Sequence, residues 1–240
     1  MIKYDGGKFF GWQLQIGRRT IQGVLEEALK SLLKSDVRIP IHGSGRTDSG
    51  VHSWGQVAHA DLDLNFNIIN LIKALNSKLP NDCEIISVIK IDKKFHSRFD
   101  AKYRFYRYQC NIQDISSLLY RNQCWVLKSL DITKLNNVAK TIIGKHDFLS
   151  FSKFRKEIKN TFCIISESKW HKENQFIIYD IKGNRFLHHM VRYLVGSMIA
   201  VSEGKISISE FMNLLNNPRK EVRIFKAPPE GLILKKVLYE

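Results

Sequence analysis

The hydrophobic positions of this chain predict several amphipathic helices. From Ile21 onward the apolar residues fall on one helical face, and Thr20 before them is suited to cap the helix. The same spacing predicts further helices over residues 68–79, 131–143 and 207–215, and a long helix from about Phe186.

Alternating apolar and polar residues predict strands between these helices. The predicted strands cover residues 1–6, 37–42, 58–64, 84–91, 102–111, 162–170, 175–182 and 231–239. Mixed runs of strands and helices, with strand pairs spaced like hairpins, indicate the α+β class. We therefore predict a mixed, largely antiparallel central sheet with helices packed on one face. Two similar halves, residues 1–112 and 113–240, are expected to share this sheet.

The net charge distinguishes this chain from an average globular protein. Its 240 residues are 44% hydrophobic and 25% charged, which is ordinary for a chain that buries a core. Lysine and arginine number 38 against 23 for aspartate and glutamate, which gives a net charge of +15. This charge favours a polyanionic partner such as RNA or DNA. The abundance of isoleucine, lysine and asparagine also indicates a compositional bias that produces basic chains without such a partner.

The sequence contains no pattern typical of a metal site or a membrane anchor. The four cysteines form no CxxC pair, and the histidines include no HExxH motif. His188 and His189, placed on the predicted helix, would point about 100° apart and would not chelate one ion together. We find no signal peptide and no membrane-spanning apolar run. We therefore predict a soluble protein of a reducing compartment, the cytoplasm, without an evident metal site.

The stretch GSGRTDSGVH, residues 43–52, is a candidate site. Its glycines permit a sharp turn or a close approach to a ligand. Thr47 and Ser49 flank Asp48 with hydroxyls that can hold the turn, and the nearby Arg46 favours an ionised carboxylate. An ionised, oriented carboxylate can act as a nucleophile or a base. On these residues alone, a polar surface turn in which Asp48 bonds nearby amides is the simpler interpretation.

Two further stretches place cations among aromatic or apolar residues. In KYRFYRY, residues 102–108, Tyr106 shares one strand face with basic side chains, which suits stacking on bases beside phosphate contacts. The alternative is a strand with tyrosines in the core and basic tips in water. In RFLHHMVRYLVGSMIA, residues 185–200, Arg192 lies at the border of the apolar stripe. Its alternative is a snorkelling arginine at the edge of a packed helix.

Taken together, these stretches resemble the tRNA pseudouridine synthase A family. GRTDSGVH followed by WGQV resembles the family's signature loop, whose catalytic aspartate corresponds to Asp48. Further similarity lies in YDGGKFFGWQ, FHSRFDAKYRFYRY, GKHDFLSF and FLHHMVRYLVGSM, in family order and over nearly the whole chain. The loop departs from the family at Ser44 and Ser49, where alanine is usual and where we expect little effect. The first strand is shorter than in the family, which we expect to affect the edge of the sheet.

The resemblance implies an isomerase that converts uridine to pseudouridine at positions 38 to 40 of the tRNA anticodon stem-loop. The base is flipped out, detached from C1′, rotated and rejoined through C5, without a cofactor or metal. Arg46 is implied to fill the vacated space and hold phosphates, Tyr106 to stack on the flipped base, and Arg192 to pair with Asp48. The resemblance also implies a homodimer, with each tRNA spanning both subunits, and an active-site cleft between the two halves.

The sequence leaves alternatives to this function. A tRNA-binding protein that has lost the chemistry is disfavoured, because Asp48, Tyr106 and Arg192 are all present. A synthase of the same family that modifies another part of tRNA is equally compatible with the motifs. A basic globular protein of unrelated function would require the four ordered similarities to be coincidence.

Overall fold

The computed structural model describes residues 1–62, 67–112, 117–154, 156, 159–220, 222 and 224–240. Leu64, the end of one predicted strand, lies outside the described residues. Among the helices within these ranges, none has the length and apolar character needed to cross a membrane.

Helices form where the apolar spacing predicts them. Side chains cap several of these helices. The Thr20 hydroxyl accepts from the Gly23 N–H, for example, and Ser207 forms a capping box with Glu210. The helices are Ile21–Leu33 (α1), Ile68–Asn76 (α2), Ser117–Tyr120 (α3), Ile132–Ala139 (α4), Met190–Ser202 (α5) and Ile208–Asn216 (α6).

The strands confirm the α+β class with a mixed, largely antiparallel arrangement. The strands are Ile2–Tyr4 (β1), His42–Gly43 (β2), His52–Gln56 (β3), Ala58–His59 (β4), Cys83–Ile85 (β5), Tyr103–Ile112 (β6), Trp125–Leu127 (β7), Gly144–Asp147 (β8), Phe162–Glu173 (β9), Phe176–Gly183 (β10) and Leu232–Leu238 (β11).

The chain divides into two compact units. The first comprises Met1–Lys102 with Ile233–Glu240, and the second comprises Tyr103–Leu232. These ranges differ from the predicted halves, 1–112 and 113–240, because β6 belongs to the second unit and most of β11 belongs to the first. That the halves carry one active site between them stays a prediction.

The first unit is built around β1 and β3. β1 pairs antiparallel with both β5 and β3, so this three-residue strand is hydrogen-bonded on its two sides. β11 pairs parallel with β3, placing Ile233 opposite His52. The core of this unit combines α1, α2 and the aromatic residues that follow β1, and includes the buried Tyr4, Phe9 and Trp12.

The second unit contains a run of antiparallel strands. β6 pairs with β10, β10 forms a hairpin with β9, and β9 pairs with β8, while β7 lies parallel to β6. The predicted apolar stripe of α5 is buried, including Leu194 and Met198. Met198 accepts a hydrogen bond from the Trp170 indole at 3.4 Å.

The predicted strand over residues 37–42 is wrong except at His42. The Ile41 N–H donates to the Glu26 carboxylate at 3.0 Å, and the Ile41 carbonyl accepts from the Gln22 amide at 3.1 Å. Side chains of α1 therefore satisfy backbone groups that a neighbouring strand would otherwise bond.

Several other boundaries also differ from the predictions. The apolar run at 84–91 forms a strand only in its first part, and Ile89 beyond β5 is largely exposed. The strand after the glycine-rich loop, β3, lies upstream of the predicted alternation at 58–64, of which the described residues, 58–62, form only β4. α5 begins at Met190 rather than Phe186, because His189 has a left-handed backbone with φ 64°.

Glu26 connects α1 to the segment that leads into the glycine-rich loop. Its nearly buried carboxylate accepts from the Arg38 guanidinium at 2.7 and 2.9 Å, and from the Ile41 N–H. Burial alone would raise the pKa of Glu26, but these donors together with the Gln22 amide hold it below its ordinary value.

We expect Glu26→Gln to lower the free energy of unfolding at pH 7 by about 1–3 kcal/mol, because charge-assisted hydrogen bonds become neutral ones. Glu27→Gln, at the neighbouring exposed position of α1, is the matched control and should change this free energy by less than about 0.5 kcal/mol. Urea unfolding measures both.

The Glu26 contribution also has a definite pH dependence. Because folding lowers its pKa, the contribution is present above the unfolded-state pKa near 4.5 and is lost as the pH falls through the folded-state pKa. The gap in stability between wild type and Glu26→Gln should therefore narrow in acid. A gap that widens in acid, or equal effects at positions 26 and 27, would contradict this role.

Candidate active site

The aspartate loop, residues 44–51, connects β2 to β3 in the first unit. Ser44 and Thr47 are buried, whereas Arg46 is exposed and Asp48 is partly exposed. The loop therefore buries the Ser44 and Thr47 side chains, while Arg46 and part of Asp48 remain accessible to solvent.

Tyr4 and Gln56 hold the buried hydroxyls of this loop. The Thr47 hydroxyl lies 2.9 Å from the Tyr4 phenol, and burial raises the pKa of Tyr4, so its phenol stays protonated. The Ser44 hydroxyl donates to the Gln56 side-chain oxygen at 2.7 Å, and the Gln56 amide donates to the Gly45 carbonyl at 3.0 Å. Ser44 thus adds a buried hydrogen bond to the support of the loop.

A second loop, the aromatic loop of residues 9–20, packs against the aspartate loop. The Trp12 N–H donates to the Thr47 carbonyl at 3.0 Å, and the Ser49 hydroxyl donates to the Phe9 carbonyl at 3.2 Å. Gly11 has φ +83°, and a Cβ at this position would lie 2.7 Å from the Thr47 carbonyl oxygen. Glycine is therefore required for the backbones to approach this closely.

The aspartate loop agrees only in part with its sequence interpretation. The prediction that Thr47 and Ser49 hold the turn with their hydroxyls is confirmed. The sequence interpretation does not include Tyr4, Gln56 and Gly11, because none of them lies within the loop and only the fold brings them against it. The available signal was a tyrosine and a glutamine at strand positions that point into an apolar core.

Tyr106 lies on β6 of the second unit, opposite Ile181 on β10. It is largely buried, and its ring meets the Phe186 ring edge-on with a centroid distance of 5.2 Å. Tyr108, two residues further, is fully buried, and its phenol donates to the Pro228 carbonyl at 2.9 Å. This strand thus places tyrosines in the core, as the alternative interpretation of the sequence expected.

Arg107, on the opposite face of β6, is buried and belongs to an ion-pair network. Its guanidinium donates twice to Asp180, at 2.9 Å each, and once to Glu173 at 2.7 Å. These bonds raise the pKa of Arg107, with the bonds to Asp180 the largest cause. The expectation of basic tips in water is therefore wrong for this residue, which stabilises the strands instead.

Arg192 lies in the first turn of α5 and is buried rather than snorkelling. Its Nε donates to the Ala227 carbonyl at 2.8 Å, and the Ala227 N–H donates to the Arg192 carbonyl at 3.0 Å. His188 and His189 precede this helix, and their ring centroids lie 3.9 Å apart. The predicted divergence of the two imidazoles on a helix is therefore wrong.

The structure places Arg46 and Asp48 on one loop of the first unit. It places Tyr106 and Arg192 on β6 and α5 of the second unit. The roles of these four residues in one site stay a prediction.

Comparison with known proteins identifies the family. A family model described as tRNA pseudouridine synthase matches residues 1–100 and 138–240. The tRNA pseudouridine synthase A of Geobacillus sp. (strain WCH70) is 37% identical over 240 residues, covering 100% of this chain and 96% of the relative. That of Phytoplasma mali (strain AT) is 38% identical over 241 residues, covering 100% and 97%. The chain belongs to the tRNA pseudouridine synthase family, whose members are isomerases.

A solved structure gives a weaker similarity. A chain of the crystal structure of a Cbf5-Nop10-Gar1 complex aligns with a TM-score of 0.38 and 10% identity, over 84% of this chain and 53% of that chain.

We expect Gly11→Ala to lower the free energy of unfolding by about 2–4 kcal/mol, because a left-handed backbone and a clash with the Thr47 carbonyl both disfavour alanine. Gly17→Ala is the matched control, since Gly17 also has positive φ but would place its Cβ in open space. This control should cost only about 1 kcal/mol. Chemical denaturation measures both, and equal losses would show that the contact between the loops is unimportant.

Proposed function

We propose that this chain isomerises uridine to pseudouridine at positions 38 to 40 of the tRNA anticodon stem-loop, with Asp48 as the catalytic residue. The observation that carries the proposal is the family match over residues 1–100 and 138–240, which includes the aspartate loop. Asp48, Arg46 and Arg192 lie within the matched ranges. Tyr106 lies outside them, and its assignment depends on resemblance to the family's active-site tyrosine.

The chemistry needs a carboxylate that is held rigidly and reaches the substrate. The N1–C1′ bond of uridine breaks, the base rotates, a C5–C1′ bond forms, and the C5 proton is released while N1 gains a proton. The hydrogen bonds of Ser44 and Thr47 and the contact with Gly11 restrain the backbone on both sides of Asp48. Asp48 itself keeps part of its surface accessible. This combination supports a role in which the carboxylate acts on a base brought to it.

Substrate capture is assigned to residues around this carboxylate. A uridine within a stem must leave the helix before a side chain can reach it, so we propose base flipping. Arg46, exposed two residues before Asp48, suits contact with the phosphates and the space that the base vacates. Tyr106 is proposed to stack on the flipped base, and Arg192 is proposed to be a further substrate-binding residue. On the family resemblance we also propose a cytoplasmic homodimer that acts without a cofactor or metal.

We expect Asp48→Asn to reduce turnover by at least about 1,000-fold, because the carboxylate is lost while its shape is kept. Affinity for tRNA should stay within about threefold, since phosphate contacts dominate binding. Tritium release from tRNA carrying 5-tritiated uridine measures turnover, and filter binding measures affinity.

Asp36→Asn, at an exposed position of the first unit, is the control for the Asp48 substitution and should keep full activity. Joint loss of binding and turnover in Asp48→Asn would assign Asp48 a structural role. Absence of release from a folded wild-type protein that binds tRNA would favour a binding protein or another target.

We expect Tyr106→Phe to bind tRNA normally but to turn over about 100-fold more slowly, because the ring is kept and a proton-transfer group is lost. Tyr103→Phe is the matched control on the opposite face of β6 and should change turnover by less than about twofold. Single-turnover tritium release separates these outcomes. Normal turnover in Tyr106→Phe would exclude its hydroxyl from the reaction.

A further inference from the structure

The aromatic loop contains two pairs of phenylalanine and arginine with different surroundings. In the first pair, the Arg19 guanidinium lies 3.9 Å from the centroid of the Phe9 ring, which is buried. Arg19 also donates to both carboxylate oxygens of Asp82, at 2.9 and 2.7 Å. Charge and ring are thus both used within the fold, so this pair is structural.

The second pair, Phe10 with Arg18, lies at the surface. The Arg18 guanidinium is 4.5 Å from the Phe10 ring centroid, 46% of Phe10 is exposed, and Arg18 is exposed. In the described part of the chain, Arg18 forms no ion pair with a carboxylate. Its charge is therefore available to a ligand, and so is much of the ring.

The backbone holds Phe10 and Arg18 in place before any ligand binds. The Phe10 N–H donates to the Arg19 carbonyl at 2.9 Å, and the Phe10 carbonyl accepts from the Gln15 amide at 2.9 Å. The Arg18 N–H donates to the Gln15 carbonyl at 3.2 Å. An ordered surface aromatic binds a partner with little loss of conformational entropy.

Phe10 is adjacent in sequence to the residues of the aromatic loop that contact the aspartate loop. The carbonyl of Phe9, which precedes Phe10, accepts from both the Ser49 hydroxyl and the Gly50 N–H. A ligand held by Phe10 therefore contacts a loop that is bonded directly to the aspartate loop.

We propose that Phe10 and Arg18 form a stacking platform for a base of the tRNA substrate outside the reacting uridine. This inference rests on the proposed function. An aromatic face beside a cation matches a nucleotide, whose base stacks on the ring while its phosphate meets the guanidinium. An RNA partner is favoured over a protein surface because no carboxylate among the described residues pairs with Arg18, and because the chain carries a net charge of +15.

The test measures tRNA affinity in the Asp48→Asn background, so that no turnover occurs during binding. We expect Phe10→Ala to weaken binding about tenfold and Phe10→Tyr, which keeps the ring, to change it less than about twofold. Arg18→Gln should weaken binding and reduce the slope of log K against log salt by about one, whereas Phe10→Ala should leave that slope unchanged.

Ile16→Ala is the control, because Ile16 is fully exposed on the same loop but has no aromatic face. It should leave affinity within about twofold, since no base stacks on it. Equal weakening by Ile16→Ala and Phe10→Ala would overturn the platform in favour of a general apolar contact. Unchanged affinity in Phe10→Ala would also overturn it.

Sedimentation of the same variants tests the protein alternative. If Phe10→Ala dissociates an oligomer, the surface contacts another protein copy and the platform is overturned. The two proposals fail separately: tRNA binding that depends on Phe10, in a wild-type protein that releases no tritium, would support the platform and reject the proposed reaction. Tritium release by the wild type, together with a tRNA affinity that does not change in Phe10→Ala, would support the proposed reaction and reject the platform.

Discussion

The contact between the aromatic loop and the aspartate loop is the constraint on which the first unit depends. Gly11 brings one backbone against the peptide groups of residues 47–49, at a distance that no other residue type permits. Hydrogen bonds then cross the contact in both directions, from Trp12 to Thr47 and from Ser49 to Phe9. The two loops therefore restrain each other, in addition to the bonds that Tyr4 and Gln56 make to the aspartate loop.

Helices were predictable from sequence to the extent that their signals are local. Thr20 caps α1, as predicted. Ser207, predicted as the first residue of a helix, is the N-cap of α6. Both signals are local because a cap bonds to a residue three positions further along the chain. The start of α5 was not predictable, since the left-handed backbone of His189 leaves no mark in the apolar spacing. Residues 37–41 were mistaken for a strand because bonding by Glu26 and Gln22 depends on packing against α1.

The sequence predicts the residues of the aspartate loop itself, but not the residues elsewhere in the fold that hold this loop in place. Asp48 and the hydroxyls beside it belong to one motif, which the family resemblance identifies. Tyr4 and Gln56 come from strands on either side of the loop, and only folding brings them to it. The two phenylalanine–arginine pairs show the same limit: Arg18 and Arg19 are adjacent in sequence, yet only Asp82, 63 positions from Arg19, makes one of them structural.

The parallel pairing of β11 with β3 has a consequence for the order of synthesis. β3 carries the chain away from the aspartate loop, and one of its neighbours, Ile233–Leu238, follows the whole of Tyr103–Leu232. The Ser53 hydroxyl donates to the Leu234 carbonyl, and the Tyr239 phenol donates to the Ser97 carbonyl, so this late segment is bonded at several points. During synthesis on the ribosome, β3 therefore has no β11 to pair with until the second unit has been translated. The unit that is encoded first is therefore the one that is completed last.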